Sequence, residues 1–296
     1  MTILDGKQTA AQWRADITHR VHEIAPLYGG RTPKLAAVIV GDDPASVTYV
    51  NLKQKACAEC GIRSTVKRLP ADSTQQQVRE AVRRLNANSD IDGIIVQQPL
   101  PPHIDSKDLL LHISPKKDVD GFTPDNIGRM ALGLDCMPAA TPAGIVELLR
   151  RNGITTRGKR VAVIGRSNIV GRPMASMLLE KSEMGDATVT VCNSSTPDLK
   201  EILAGCDIII SAAGCPGLVQ ADMVAEGAVV VDVGTTRVAD PSRRSGYRLA
   251  GDVDFDAVAP KCSYITPVPG GVGPMTIASL LHNTLTAFVR RRRRTL

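Results

Sequence analysis

Two segments of this chain hold side chains whose types and spacing could do chemistry. In the first, residues 49–53 (YVNLK) set the phenol of Tyr49 and the amine of Lys53 four positions apart. On a helix such positions share one face, so the pair could polarise a substrate and relay a proton. To work near neutrality the amine needs a lowered pKa, through burial or a neighbouring cation. The same spacing is met on solvated helix faces, and spacing alone does not choose between the two. In the second segment, residues 160–173 (RVAVIGRSNIVGRP) run from a strand through a glycine turn into a helix start. Glycine permits the tight turn, and the free N–H groups at the helix N-terminus then face an anion such as a dinucleotide pyrophosphate. Gly165 takes the first place of G-x-G-x-x-G, Ser167 the second and Val170 the third, with Gly171 one step later. A plain strand-to-helix turn would look the same.

The strand after the turn narrows the choice of dinucleotide. An NAD site carries Asp or Glu at the end of its second strand, for the ribose 2′-hydroxyl. Here residues 188–192 are followed by Asn193, Ser194, Ser195 and Thr196, with no carboxylate. Arg166 could instead grip a 2′-phosphate with its planar fork while Ser194 donates a hydrogen bond, which favours NADP. The alternative is a solvated Arg166. Tyr-x-x-x-Lys also resembles the short-chain dehydrogenases. There the glycine turn precedes the pair on one domain; here the order is reversed, and that family is set aside.

The elements that must position these groups alternate between strand and helix. Apolar runs at 35–40 (LAAVIV) and 93–97 (GIIVQ) read as buried strands; 160–164, 188–192 (TVTVC), 207–212 (DIIISA) and 228–233 (AVVVDV) read as strands, with 264–265 a candidate for one more. Helices are predicted from Asp43-Pro44 to about Gly61, after a Ser73–Gln76 capping box to about Asn88, and from Thr141-Pro142 to about Arg151. Others are predicted over 170–179, over 198–203 and from Pro274 to about Val289. Residues 114–141 are rich in Pro, Gly and Asp and read as loop, with a short helix after Pro124. Strands joined by helices imply parallel sheets with right-handed crossovers. The central loop favours two doubly wound halves over a closed barrel.

Composition excludes several classes. With 296 residues, 43% hydrophobic and 22% charged, the chain is an ordinary globular protein, long enough for a core without disulfide staples. No apolar run reaches the ~18–20 residues a membrane span needs. The N-terminus is polar where a signal peptide is apolar. The seven cysteines, an odd number, then read as reduced thiols of a cytoplasmic protein. Cys57 and Cys60 form a lone CxxC inside a helix and read as packing, so no metal is expected. Of the net charge of +6, Arg290 to Arg294 supply nearly all, and read as a solvated tail. Aromatics at 3% leave few stacking platforms, which argues against nucleic acid as a partner.

Five segments together resemble one family: 46–57 (SVTYVNLKQKAC), 94–101 (IIVQQPLP), 117–122 (KDVDGF), 165–173 (GRSNIVGRP) and 264–276 (YITPVPGGVGPMT). They are similar, in order and over nearly the whole chain, to the bifunctional methylenetetrahydrofolate dehydrogenase/cyclohydrolases. The resemblance implies two α/β domains with a cleft between them. One is an N-terminal folate and catalytic domain, residues 1–140, completed by the C-terminal helix 275–296. The other is a C-terminal Rossmann-type parallel sheet binding NADP, residues 141–274, through which the family forms homodimers. It implies oxidation of 5,10-methylenetetrahydrofolate with NADP+ and hydrolysis of the methenyl product to 10-formyltetrahydrofolate in the same site.

By the same resemblance Lys53 is the central catalytic group, Tyr49 lies against the folate, Gln97 tunes the lysine, and Asp120 binds the pterin. Val96, Gln98, Pro269, Gly270, Gly271, Val272 and Gly273 line the folate pocket. Gly165, Arg166, Ser167, Ile169, Ser194 and Thr235 hold the cofactor. The chemistry is consistent with these roles: a carboxylate accepts two N–H groups of a pterin edge, and a lysine poised between protonation states suits water attack on a cation. The chain departs from the family at Gln98, where leucine is usual, and at Ala139-Ala140, where Pro-Cys usually precedes the Thr-Pro. It departs again at Asn193-Ser194-Ser195, where His-Ser and a basic residue are common, and at 232–237 (DVGTTR). Two other readings use the same residues. One is a dehydrogenase without hydrolase activity, which the intact Tyr49, Lys53 and Gln97 set disfavours. The other is a non-enzymatic dinucleotide- or nucleic-acid-binding homologue using the arginine run.

Overall fold

A computed structural model describes residues 1–243 and 246–292. The chain divides into two compact units, Ala11–Ala140 with Ile277–Leu296, and Met1–Ala10 with Thr141–Thr276. We call them the N-terminal and C-terminal units. The expected first domain began at residue 1. The first ten residues instead lie with the C-terminal unit, because the strand β1 (Thr2–Ile3) pairs in parallel with Tyr264–Ile265. Helix α1 (Gly6–Ile24) follows, an element that the sequence reading passed over. Its buried residues Ala10, Trp13, Ile17, Val21 and Ile24 recur at the helical period.

The N-terminal unit is built on three parallel strands, β2 (Lys34–Val40), β3 (Arg63–Leu69) and β4 (Gly93–Val96), with β2 central. Strand β2 is buried almost throughout, as its apolar run requires. Strand β3 is an edge with an exposed, charged pattern, and so was not predicted. Helix α2 (Pro44–Glu59) starts as expected, with Asp43 accepting the Ser46 N–H at 2.8 Å and Pro44 in the first turn. Cys57 lies on its buried face and Cys60 ends it; burial pushes the Cys57 thiol up to about 12, leaving it unreactive. Helix α3 (Gln75–Ala87) does carry a capping box, but one residue later than predicted: Thr74 and Gln77 cap each other, while Ser73 is buried. Helices α4 (Ser106–His112) and α5 (Pro124–Ala131) bracket the loop 113–123.

The arginine run is not a solvated tail where it is described. Arg291 and Arg292 both bind the carboxylate of Asp92, which is 0% exposed and also accepts the Lys34 N–H at 3.0 Å. Arg290 binds Asp135 and the Cys136 carbonyl. Arg293 and Arg294 lie outside the described residues.

Helix α6 (Ala140–Arg151) begins one residue before the Thr-Pro pair, with the Ala140 N–H bonded to the Asp120 carbonyl at 3.1 Å. The C-terminal unit then alternates β5 (Arg160–Ile164), α7 (Gly171–Leu179), β6 (Thr188–Cys192), α8 (Leu199–Ala204), β7 (Ile208–Ser211) and β8 (Val229–Asp232). An unpredicted antiparallel hairpin, β9 (Thr236–Ala239) with β10 (Tyr247–Ala250), follows. After α9 (Phe255–Val258) comes β11 (Tyr264–Ile265). The sheet is parallel, in the order β1-β11-β8-β7-β5-β6. Its core is aliphatic, centred on Ala162, Ile164, Ile209, Val230 and Ile265. The last helix, α10 (Val272–Arg292), begins two residues before the predicted Pro274, whose missing N–H costs nothing in a first turn.

Candidate functional site

In the N-terminal unit, Tyr49 and Lys53 share a face of α2, with the Lys53 Nζ 5.8 Å from the centre of the Tyr49 ring. Gln97 follows β4 and accepts a hydrogen bond from the Lys53 Nζ at 3.1 Å. Its amide nitrogen donates to the Gln98 carbonyl at 2.6 Å, which fixes the carboxamide orientation. The Ser46 hydroxyl, one turn before Tyr49, reaches the same carbonyl at 3.5 Å. Val96 is buried in the core of the unit, and Gln98 is exposed, followed by a cis peptide bond to Pro99. Tyr49 is 43% exposed, yet partial burial raises its phenol above the ordinary value.

Asp120 joins the group. Burial pushes its carboxyl up to about 6; the charge of Lys53 works against the shift, and Asp118 works with it. The loop that presents Asp120 is tied down by residues the sequence reading did not single out. Asp118 is buried and accepts the N–H groups of Gly121 at 3.0 Å, Phe122 at 3.2 Å and Thr123 at 2.7 Å, and the Asn126 amide at 2.9 Å. Gly121 has φ +75°, and a Cβ there would stand 2.5 Å from the Pro138 carbonyl carbon. The signal was legible only as a dense Asp-x-Asp-Gly, which marks a turn without saying which acid organises it. A buried carboxyl raised to about 6 and subject to the charge of the Lys53 amine can bind a planar N–H-bearing heterocycle and manage a proton beside it.

In the C-terminal unit, the turn after β5 has the geometry of an anion cradle. Gly165 has φ +109°, and its N–H bonds the Cys192 carbonyl at 2.8 Å. A Cβ on Gly171 would collide with the Gly165 carbonyl, so Gly171 is the glycine that lets α7 pack against the strand. The sequence reading gave that position to Val170, one residue early; Val170 is the N-cap residue and has no side-chain cap. The Ser167 hydroxyl accepts the Val170 N–H at 3.1 Å. Arg166, Ser167, Ile169 and Ser194 are exposed around this turn, and no carboxylate follows β6. The donor set therefore fits a dinucleotide carrying a 2′-phosphate: backbone N–H groups at a helix start, an exposed guanidinium, and hydroxyls.

Thr235 is exposed just before β9. Pro269 and Gly270 form a turn after the cis Val268–Pro269 bond, with Gly270 at φ +114° accepting the Lys7 N–H at 3.1 Å. Gly271 packs against Thr266 and Pro267, and Val272 and Gly273 open α10. These five residues belong to the C-terminal unit, whereas Tyr49, Lys53, Val96, Gln97, Gln98 and Asp120 belong to the N-terminal one. Among the described residues, no group of three or more His, Cys, Asp or Glu is placed to hold a metal.

Residues 4–120 match the family model for tetrahydrofolate dehydrogenase/cyclohydrolase, catalytic domain, and residues 139–292 match the one for its NAD(P)-binding domain. A curated relative, Bifunctional protein FolD of Bacteroides fragilis, is 54% identical over 287 residues, covering 97% of this chain and 98% of the relative. Two solved structures are similar over their length. One is the bifunctional enzyme FolD, methylenetetrahydrofolate dehydrogenase/cyclohydrolase, from Campylobacter jejuni, with 47% identity, a TM-score of 0.91 and coverage of 98% and 99% of the two chains. The other is the Trypanosoma brucei N5,N10-methylenetetrahydrofolate dehydrogenase-cyclohydrolase (FolD), complexed with NADP cofactor and inhibitor, with 45% identity, a TM-score of 0.93 and 99% of both chains covered.

Proposed function

The chain belongs to the tetrahydrofolate dehydrogenase/cyclohydrolase family, and from that premise we propose that it oxidises 5,10-methylenetetrahydrofolate with NADP+ and hydrolyses the methenyl product to 10-formyltetrahydrofolate. The observation that carries the reading is the Lys53–Gln97 hydrogen bond of 3.1 Å beside Tyr49 and the raised carboxyl of Asp120. NADP+ supplies the hydride acceptor, and oxidation needs no protein base at carbon, only alignment. Hydrolysis does need proton management. Water attacks the methenyl cation and loses a proton, and a ring nitrogen takes one as it leaves. Lys53 moves that proton, Gln97 holds the amine in place, and the Tyr49 ring supports the flat folate. Asp120 accepts the adjacent N–H groups of the pterin. Within the C-terminal unit, Gly165, Arg166, Ser167, Ile169, Ser194 and Thr235 bind NADP.

The deciding experiment mixes the protein with methylenetetrahydrofolate and either NADP+ or NAD+ and follows the methenyl absorbance. A rise and fall with NADP+ supports both activities; a rise without a fall leaves a dehydrogenase alone.

Two predictions belong here. Because the Asp120 pKa is raised to about 6, its carboxyl takes up a proton as pH falls through that value and loses its capacity to accept two N–H groups. Folate affinity should therefore be full above about pH 7 and weaken below pH 6, and the Asp120→Asn variant should be weak and flat across the range. Calorimetric titration of folate at several pH values measures this; equal slopes in both proteins would remove Asp120 from the pterin. Arg166→Ala should lower the NADP-to-NAD ratio of kcat/KM on the order of tenfold, the scale of one charge-assisted phosphate contact. An unchanged ratio would take Arg166 out of the 2′-phosphate site.

We place the protein in the cytoplasm, as a homodimer formed through the C-terminal unit. The first statement is supported by seven free cysteines and by the finding that no described helix is long and apolar enough to cross a membrane. The second is tested by light scattering of the purified protein.

A further inference from the structure

Two buried acids in the C-terminal unit have no part in the reading above. Asp252 is 0% exposed and accepts four hydrogen bonds. Three reach one oxygen, from the Ser211 hydroxyl at 3.0 Å and the N–H groups of Ala213 at 2.7 Å and Gly214 at 3.2 Å; the fourth, from the Cys215 N–H at 2.9 Å, reaches the other. Every partner is a donor, so the group serves as a carboxylate. Together these bonds consume the donors of the turn that follows β7. Asp252 is held in turn by Asp232, at the end of β8, whose oxygens accept the N–H groups of Asp252 and Val253 at 2.9 Å each and of Gly234 at 2.9 Å. One relay thus fixes the turns after β7 and β8.

Those turns border the glycine turn. A Cβ on Gly165 would collide with the Ala212 carbonyl, and the Thr236 hydroxyl reaches the Gly214 carbonyl at 3.4 Å. The strand order β8-β7-β5-β6 gives the direction. A pyrophosphate at the end of β5 puts the adenosine half over β6, where the ribose-recognising position lies. The other half then lies over β7 and β8. We propose that Asp252 is a positioning residue for the nicotinamide half: its carboxylate holds residues 212–215 in the shape on which that half rests. The inference depends on the dinucleotide reading above.

The test titrates the unaltered protein and Asp252→Asn with NADP+ and with 2′,5′-ADP, which carries the adenosine half and the 2′-phosphate but no nicotinamide. The asparagine amide turns a donor toward backbone donors, and should raise the Kd for NADP+ about tenfold while moving that for 2′,5′-ADP less than about twofold. A merely structural role would raise both by the same factor, and that result, or an unchanged Kd for NADP+, overturns the proposal. If Asp252→Asn does not fold, Ser211→Ala removes one of the three donors on the same oxygen and leaves the carboxylate in place, and should raise the Kd for NADP+ about threefold with 2′,5′-ADP unmoved. An unchanged ratio there overturns the proposal equally. Failure of the unaltered protein to bind NADP+ would bring down the dinucleotide reading and this inference with it. Normal binding with an unchanged ratio would remove only the role of Asp252.

Discussion

Lys53→Met is expected to slow hydrolysis of methenyltetrahydrofolate on the order of a thousandfold, while hydride transfer falls no more than about tenfold. Methionine keeps the length and apolar stem of lysine, so packing on α2 survives and only the ionisable group is lost. The asymmetry follows from the two reactions. Hydride passes between carbons that need alignment alone, whereas hydrolysis must take a proton from water and deliver one to nitrogen. Gln97, 3.1 Å from the amine, restrains Lys53, so Gln97→Ala should show a weaker form of the same asymmetry. Methenyl accumulation during turnover of methylenetetrahydrofolate measures both steps in one trace. Hydrolysis at the unaltered rate in Lys53→Met would end the assignment.

The largest stability effect is expected at Asp92. Replacing both Arg291 and Arg292 by methionine leaves a fully buried carboxylate that, among the described residues, keeps the Lys34 N–H and the nearby charge of Lys117. Removing the partner of a buried ion typically costs roughly 3–5 kcal/mol, because the desolvated charge stays behind. For a cooperative unit of this size that lowers the unfolding midpoint by roughly 10 °C. Adding Asp92→Leu to the same background should recover most of the loss, since replacing the whole buried cluster by apolar groups is often neutral. Thermal unfolding of the double and triple variants checks this; a double variant as stable as the parent would show that the arginines are solvated ends after all.

These two sites differ in how far the residues announced them. Tyr49 and Lys53 stand out as a pair because they lie four apart on one helix, a local property, but that spacing alone does not tell a catalytic pair from a solvated face; the surrounding segments do. Gln97 and Asp120 stand at the ends of other elements, so spacing could not join them to Lys53; only the resemblance of the segments around them did. Asp92 and Arg291 are 199 positions apart, and five arginines in a row read as solvent-facing by composition. Strands whose runs are apolar, such as β2, β5 and β7, were legible because burial on both faces writes itself as an uninterrupted run. Strand β3 and the β9–β10 hairpin expose much of their surface and wrote no such signal. Helix α1 carried its period in Ala10, Trp13, Ile17, Val21 and Ile24, interleaved with enough polar residues to pass as loop. The capping box was read one residue early because Gln76 and Gln77 both satisfy the pattern, and only the backbone decides which one reaches back.

The division of the chain has a consequence for its synthesis. The C-terminal unit is complete once residue 276 has been made, but the N-terminal unit, although its central sheet is translated first, takes its closing helix from residues 277–292. Until that stretch leaves the ribosome, the carbonyls of Val119 and Pro138 lack the Asn283 amide and Asp92 has neither arginine. The half of the protein that is born first is therefore the last to settle, and a growing chain stalled between the two must be shielded from its neighbours by other means.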